Sequence, residues 1–147
     1  MVQWYECKVS YDKNLEQGLN KVNELYLINA LSFTEAEKRI IEYATPYVSM
    51  GNLEVTNIRR ALYAEMFLTN HDEHDRYFKA RVNIITVDER SGKEKKKGIN
   101  ILIQSDTLSN ALNHVLEQLG KEAQDYEIAS IAETLIMDVV PYESAES

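Results

Sequence analysis

The stretch "SFTEAEKRII" (residues 32–41) opens a helix, and "TLSNALNHVL" (107–116) opens a second one in the same local grammar, with Ala36 answering Ala111. Ser32 can cap the first helix, and Glu35 three residues on can reach back to the Ser32 amide, the reciprocal arrangement of a capping box. Phe33, Ala36, Ile40, Ala44 and Tyr47 recur at helical spacing and form one apolar stripe. Pro46 disfavours helical geometry at Thr45, so the helix should end or kink there. In the second helix Leu108, Ala111, Leu112, Val115, Leu116 and Leu119 make a wider stripe, and Gly120 stands where a left-handed C-terminal cap belongs.

The flanking segments alternate. Tyr5, Cys7, Val9 and Tyr11 share one parity and Trp4, Glu6, Lys8 and Ser10 the other, which predicts a half-buried strand. "DKNLEQGLNK" is expected to connect it to a strand "VNELYLINA", and "SMGN" to be a turn before a strand "LEVTNIRRALYAEMFL". "RYFKARVNIITVDE" puts Phe78, Ala80, Val82 and Ile84 on one side, and "GINILIQS" gives Ile99, Ile101 and Ile103 one face. "YEIASIAETLIMDVV" is the last strand, stopped by Pro141. The expected order is β-β-α-β twice. The likeness extends past the helices, with Val55 over Ile128, Ile58 over Ile131 and Leu62 over Leu135. The fold class is therefore α+β: two ββαβ units related by internal duplication, about 2–69 and 76–140, whose helices pack on antiparallel or mixed sheet within one domain of residues 1–142. One such unit alone leaves a sheet face and a helix face uncovered, and two copies could close a shared core. On this alignment Arg60 and Glu133 are equivalent charges on apolar parities. Either they pair with each other, or a bulge turns one of them to solvent, and the bulge is the expectation.

The wording "WYECKVSYDK", "LYLINALSFTEAEKRI" and "EIASIAETLIMDVVPYE" resembles a single-domain family of Bacteroidota and their phages that is a domain of unknown function. The resemblance spans nearly the whole chain, and its closing motif is the most specific part. Asn29 stands where the family pattern has Asp. The resemblance implies a host range and a one-domain architecture, and it carries no activity, cofactor or catalytic residue.

Composition narrows the classes. The chain has 147 residues, 44% hydrophobic and 27% charged, enough for a core without staples. Twenty-four acidic against 16 basic residues leave a net charge of −8, which opposes nonspecific attraction to nucleic acid or anionic lipid. Cys7 is the only cysteine, so no intramolecular disulfide can form. No signal peptide or membrane span is expected, which makes cytoplasm the expected location and excludes a membrane partner. The acidic tail 143–147 is expected to fray.

Chemistry is sparse. The five glycines are scattered and form no phosphate-cradling loop. Cys7 lies on an apolar parity and is expected to be a core residue rather than a nucleophile. His71 and His74 in "NHDEHD" offer a weak zinc or nickel pattern, and a solvated connection is the expectation; His114 should sit at the boundary of its helix. Neither a cofactor nor a metal is expected. A candidate single-strand nucleic-acid face combines Tyr77, Lys79 and Arg81 of one strand with Lys95 and Lys97 of the next and with Arg59 and Tyr63, offering charge for phosphate and rings for stacking. The alternative is a solvated face whose charges guard against aggregation. Nine tyrosines and Trp4 also suit a protein-interaction surface. Trp4 lies on the polar parity, where it needs either a partner or a covering element. The preferred expectation is a non-enzymatic binding or interaction protein with a protein partner, and the second is an auxiliary single-stranded nucleic-acid binder of a phage or mobile element. The sequence fixes no oligomeric state.

Overall fold

Alternating apolar positions build two four-stranded sheets, each carrying one helix on its apolar face. The computed structural model describes residues 2–15, 18–48, 50–122 and 124–141. The elements are β1 (Gln3–Leu15), β2 (Gly18–Ala30), α1 (Phe33–Ala44), a 3₁₀ turn (Thr45–Tyr47), β3 (Met50–Arg60), β4 (Glu65–Phe67), β5 (Arg76–Val87), β6 (Glu94–Ser105), α2 (Leu108–Leu119), β7 (Asp125–Glu133) and β8 (Ile136–Val140). The fold is α+β. The tail 143–147 lies outside the described residues.

The chain divides into two units, Met1–Ala61 with Leu135–Ser147, and Leu62–Thr134. The first holds the sheet β3-β1-β2-β8 and the second the sheet β4-β6-β5-β7. Each centres on a long antiparallel hairpin, and each ends in a short parallel strand, β8 on β2 and β4 on β6. The single closing strands expected over 53–68 and 126–140 are each broken in two. β3 and β7 end at Arg60 and Glu133, and the chain then runs irregularly through exposed Leu62 and Leu135 before β4 and β8 pair in the other sheet. An apolar run that feeds two sheets looks continuous in sequence.

In the first unit Tyr5, Cys7, Val9, Tyr26, Ile28 and Ala30 face Ala36 and Ile40 of α1. In the second, Phe78, Ala80, Val82, Ile101 and Ile103 face Ala111, Val115 and Leu119 of α2. Each fully buried aliphatic or aromatic side chain contributes about 1.5–3 kcal/mol by leaving water. Cys7 is a buried core residue, and burial pushes its thiol up to about 12. Both stripes are narrower than expected: Phe33, Leu108 and Leu116 remain exposed.

The helix ends differ from expectation in detail. The Ser32 hydroxyl accepts from the Glu35 amide at 3.1 Å, but the Glu35 carboxylate reaches the Leu31 amide, at 3.0 Å, rather than that of Ser32. Gly120 has φ −67°, so it continues right-handed geometry where a left-handed cap was expected. The expected connections are shorter than the polar wording suggests: β1 and β2 run to Leu15 and from Gly18, whose φ of +110° suits glycine, and Met50–Asn52 already belong to β3.

Both sheets contain a bulge at the same place. Lys8 pairs with Asn57 but Val9 pairs with Val55, leaving Thr56 unpaired; Arg81 pairs with Ser130 but Val82 pairs with Ile128, leaving Ala129 unpaired. A bulge shifts strand parity. Val55 and Ile58 therefore both pack on the first core, and Ile128 and Ile131 on the second. Past the bulges Arg60 and Glu133 are exposed, and Glu133 receives two hydrogen bonds from Arg76, at 2.5 and 2.9 Å.

Candidate binding site: a tyrosine-walled pocket in the first unit

Near the end of α1, side chains from β1, β2, α1, β8 and the 3₁₀ turn line an open concavity of about 450 Å³. The register dictates who meets there. Val9 pairs with Glu24 and Cys7 with Tyr26, so Tyr11, Glu24 and Tyr26 share the helix-facing side. Parallel pairing sets Asp138 of β8 against Tyr26. Helical spacing brings Tyr43 down from α1, and Pro46 closes the helix into the turn that carries Tyr47.

The polar atoms hold one another. The Tyr11 hydroxyl donates to Glu24 Oε1 at 2.7 Å and the Tyr26 hydroxyl to the same oxygen at 3.0 Å. The Tyr43 hydroxyl donates to Asp138 Oδ2, whose other oxygen accepts the Val139 amide at 2.9 Å. The Tyr43 ring stands edge-on to Tyr26 at 5.4 Å and tilted to Tyr47 at 5.9 Å. Tyr11 and Tyr26 are buried, at 3% and 6% exposure, while Tyr47 at 58% and Met137 at 53% form the open side. Burial, reinforced by the bond to Glu24, pushes the Tyr11 phenol up to about 12. Tyr26 and Tyr43 are raised above the ordinary tyrosine value, first by burial and then by their carboxylate neighbours. In these bonds each phenol is the donor and the carboxylate the acceptor.

The residues expected to form a nucleic-acid face lie otherwise. Arg59 belongs to the first unit, where it pairs with Glu6 at 2.7 Å. Tyr63 is half-buried in the segment before β4. Lys79 and Arg81 are exposed on the face of β5 away from α2, as expected. Tyr77 shares their parity but is 5% exposed, so its ring offers no stacking surface. Lys95 and Lys97 pair with Thr86 and Ile84, which puts them on the opposite face, the one continuous with Ile99 and Ile101. The lysine that does share the Lys79 face is Lys96, and Glu127 holds its ammonium at 3.0 Å. Lys95 lies 3.8 Å from Asp88. The Arg81 guanidinium lies over Gly98, where a Cβ would come within 2.4 Å of it, and donates to Asn100. A charge count along the sequence cannot separate the two sides of a hairpin, and the strand register does.

His71 and His74 have ring centroids 4.8 Å apart, with His74 Nδ1 at 2.8 Å from the Thr69 hydroxyl. Among the described residues no three His, Cys, Asp or Glu side chains converge on a metal position. His114 is half-buried beside Phe67. No helix among the described residues is long and apolar enough to cross a membrane.

The sequence profile described as "Domain of unknown function (DUF4494)" matches residues 3–142. The chain belongs to that family. No curated protein matches it. Family membership covers both units, and it includes β8, the strand that supplies Asp138 and Met137 to the pocket.

Proposed function

We propose that this chain is a non-enzymatic binding protein that works in the cytoplasm of a Bacteroidota cell or its phage, and that its partner is a protein. The carrying observation is the pocket of the first unit. Four tyrosines line it, the hydroxyls of Tyr11, Tyr26 and Tyr43 donate to the carboxylates of Glu24 and Asp138, and exposed Tyr47 and Met137 stand at the open side. Rigid amphipathic rings at the mouth of a preformed concavity suit recognition, since they give up little conformational freedom on contact. The host assignment rests on the closing motif "ASIAETLIMDVVPYE". We also read the two units as copies of one ancestral ββαβ unit, supported by their shared element order and corresponding bulges.

The test is affinity capture from a Bacteroidota host on the tagged chain, with and without nuclease, alongside Tyr47→Ala. The reading expects a stoichiometric protein that survives nuclease and is lost with Tyr47→Ala. Nuclease-sensitive recovery of nucleic acid, unaffected by Tyr47→Ala, would replace it with the single-strand-binding alternative.

A further inference from the structure

The two sheets allow an internal comparison. Their bulges align Val9 with Val82, so Tyr11 corresponds to Ile84. Across the hairpin, Glu24 pairs with Val9 as Ile99 pairs with Val82, and Tyr26 pairs with Cys7 as Ile101 pairs with Ala80. The second unit therefore fills with three isoleucines the positions that hold Tyr11, Glu24 and Tyr26 in the first. The topology does not require a carboxylate or phenols there. A carboxylate set among buried rings carries a desolvation cost that an isoleucine does not. The first unit keeps it in place with two hydroxyls at 2.7 and 3.0 Å and adds Asp138 at the far wall.

We infer that this pocket receives an organic cation, an alkylammonium group, against the rings of Tyr43 and Tyr47 with Glu24 and Asp138 as counter-charges. The inference rests on the reading of the pocket as the ligand-contacting surface and adds the chemistry of the ligand. Among the described residues of the lining, two carboxylates stand against the one ammonium of Lys13, a formal charge of −1 that disfavours phosphate and carboxylate ligands. Tyrosine faces attract a cation through their quadrupole, and the more so in a partly desolvated site. Both aromatic and acidic walls thus favour the same sign. Met137 adds a polarizable, adaptable contact at the open side. The volume of about 450 Å³ falls within the range of small-ligand sites and exceeds what a lone inorganic ion would fill. The cation can come free, as a quaternary ammonium metabolite, or on a protein, as a lysine or methylated lysine side chain.

The test is a titration of the full chain followed by NMR and calorimetry with four probes: choline, its neutral isostere 3,3-dimethylbutan-1-ol, and glycine-flanked peptides carrying lysine or trimethyllysine. Choline should bind saturably with Kd on the order of millimolar, as its few heavy atoms allow, and the neutral isostere should not. Tyr47→Ala, on an exposed side chain, should weaken choline roughly tenfold, and Glu24→Gln should weaken it while the spectrum stays folded. Tighter binding of a peptide than of choline assigns the cation to a protein partner; the reverse assigns it to a free metabolite. Equal binding of the neutral isostere overturns the cation inference and leaves the pocket a binding surface. If no probe perturbs the tyrosines up to the solubility limit, the inference fails, and host capture alone then decides the broader reading.

Discussion

Replacing Glu24 by isoleucine, the residue type at the matching position 99, strands two hydroxyls at once. Glu24 Oε1 is the acceptor for Tyr11 at 2.7 Å and for Tyr26 at 3.0 Å, and those rings are 3% and 6% exposed. A buried polar group left without a partner costs about 1–3 kcal/mol. Two give about 2–6 kcal/mol, less whatever water entering the open side of the pocket restores. Against a typical total stability of about 5–15 kcal/mol the loss is large. Adding Tyr11→Phe and Tyr26→Phe in the Glu24→Ile background removes the stranded groups and should return most of the loss, because deleting both partners of a hydrogen bond is nearly neutral. Urea denaturation followed by circular dichroism measures the two variants against the parent, with midpoints compared at equal slope. A Glu24→Ile cost below about 0.5 kcal/mol, or no recovery in the triple variant, refutes the claim that these bonds hold the cluster.

Other outcomes follow from the same geometry. Tyr43→Phe removes the tie between α1 and Asp138 of β8 and should cost about 0.5–1.5 kcal/mol; no change in the unfolding midpoint contradicts it. A phenol raised in the fold stabilises the fold while it is protonated, so the Tyr11 contribution is complete below its ordinary value of 10 and is lost as pH climbs to about 12. Absorbance titration should show a late-ionising group of tyrosines that joins the rest in denaturant, and a single native transition refutes this. The double variant His71→Ala and His74→Ala should lose no more than about 1 kcal/mol, from the Thr69–His74 bond, with or without zinc. A zinc-dependent rise in Tm that the variant abolishes would overturn the reading of this connection.

Much of the fold is legible in residue patterns because burial follows period. The alternation of Tyr5, Cys7, Val9 and Tyr11, and of Ile99, Ile101 and Ile103, survives as the helix-facing sides of their sheets. Ser32 and Thr107 cap their helices through neighbouring amides. The bulges at Thr56 and Ala129 are signalled only by Arg60 and Glu133, charges on apolar parities that make a bulge the expectation; both sheets carry one, and both side chains are exposed. The exposed breaks at Leu62 and Leu135 look apolar and therefore continuous. The pocket was hidden for a different reason: its residues run from position 11 to 138, and only the parallel pairing of β8 on β2 unites them. Two local signals did exist. Glu24 shares the parity of Val22, Tyr26 and Ile28, and Asp138 interrupts "IMDVV"; each is a carboxylate on an apolar parity in a chain rich in tyrosine. Lys95 and Lys97 show the converse, where charge density suggested one face and the register divided it from Lys79 and Arg81.

The central claim is that the first unit carries a built site which its fold does not need. The most direct measurement grafts the second unit's solution onto the first, with Tyr11→Ile, Glu24→Ile and Tyr26→Ile together, and follows both circular dichroism and calorimetric titration with choline. The account predicts a chain that stays folded, because Ile84, Ile99 and Ile101 already serve the same positions, and that no longer binds. A chain that unfolds shows the cluster to be structural, and a folded chain that still binds choline with parental affinity places the site elsewhere; either result contradicts the claim.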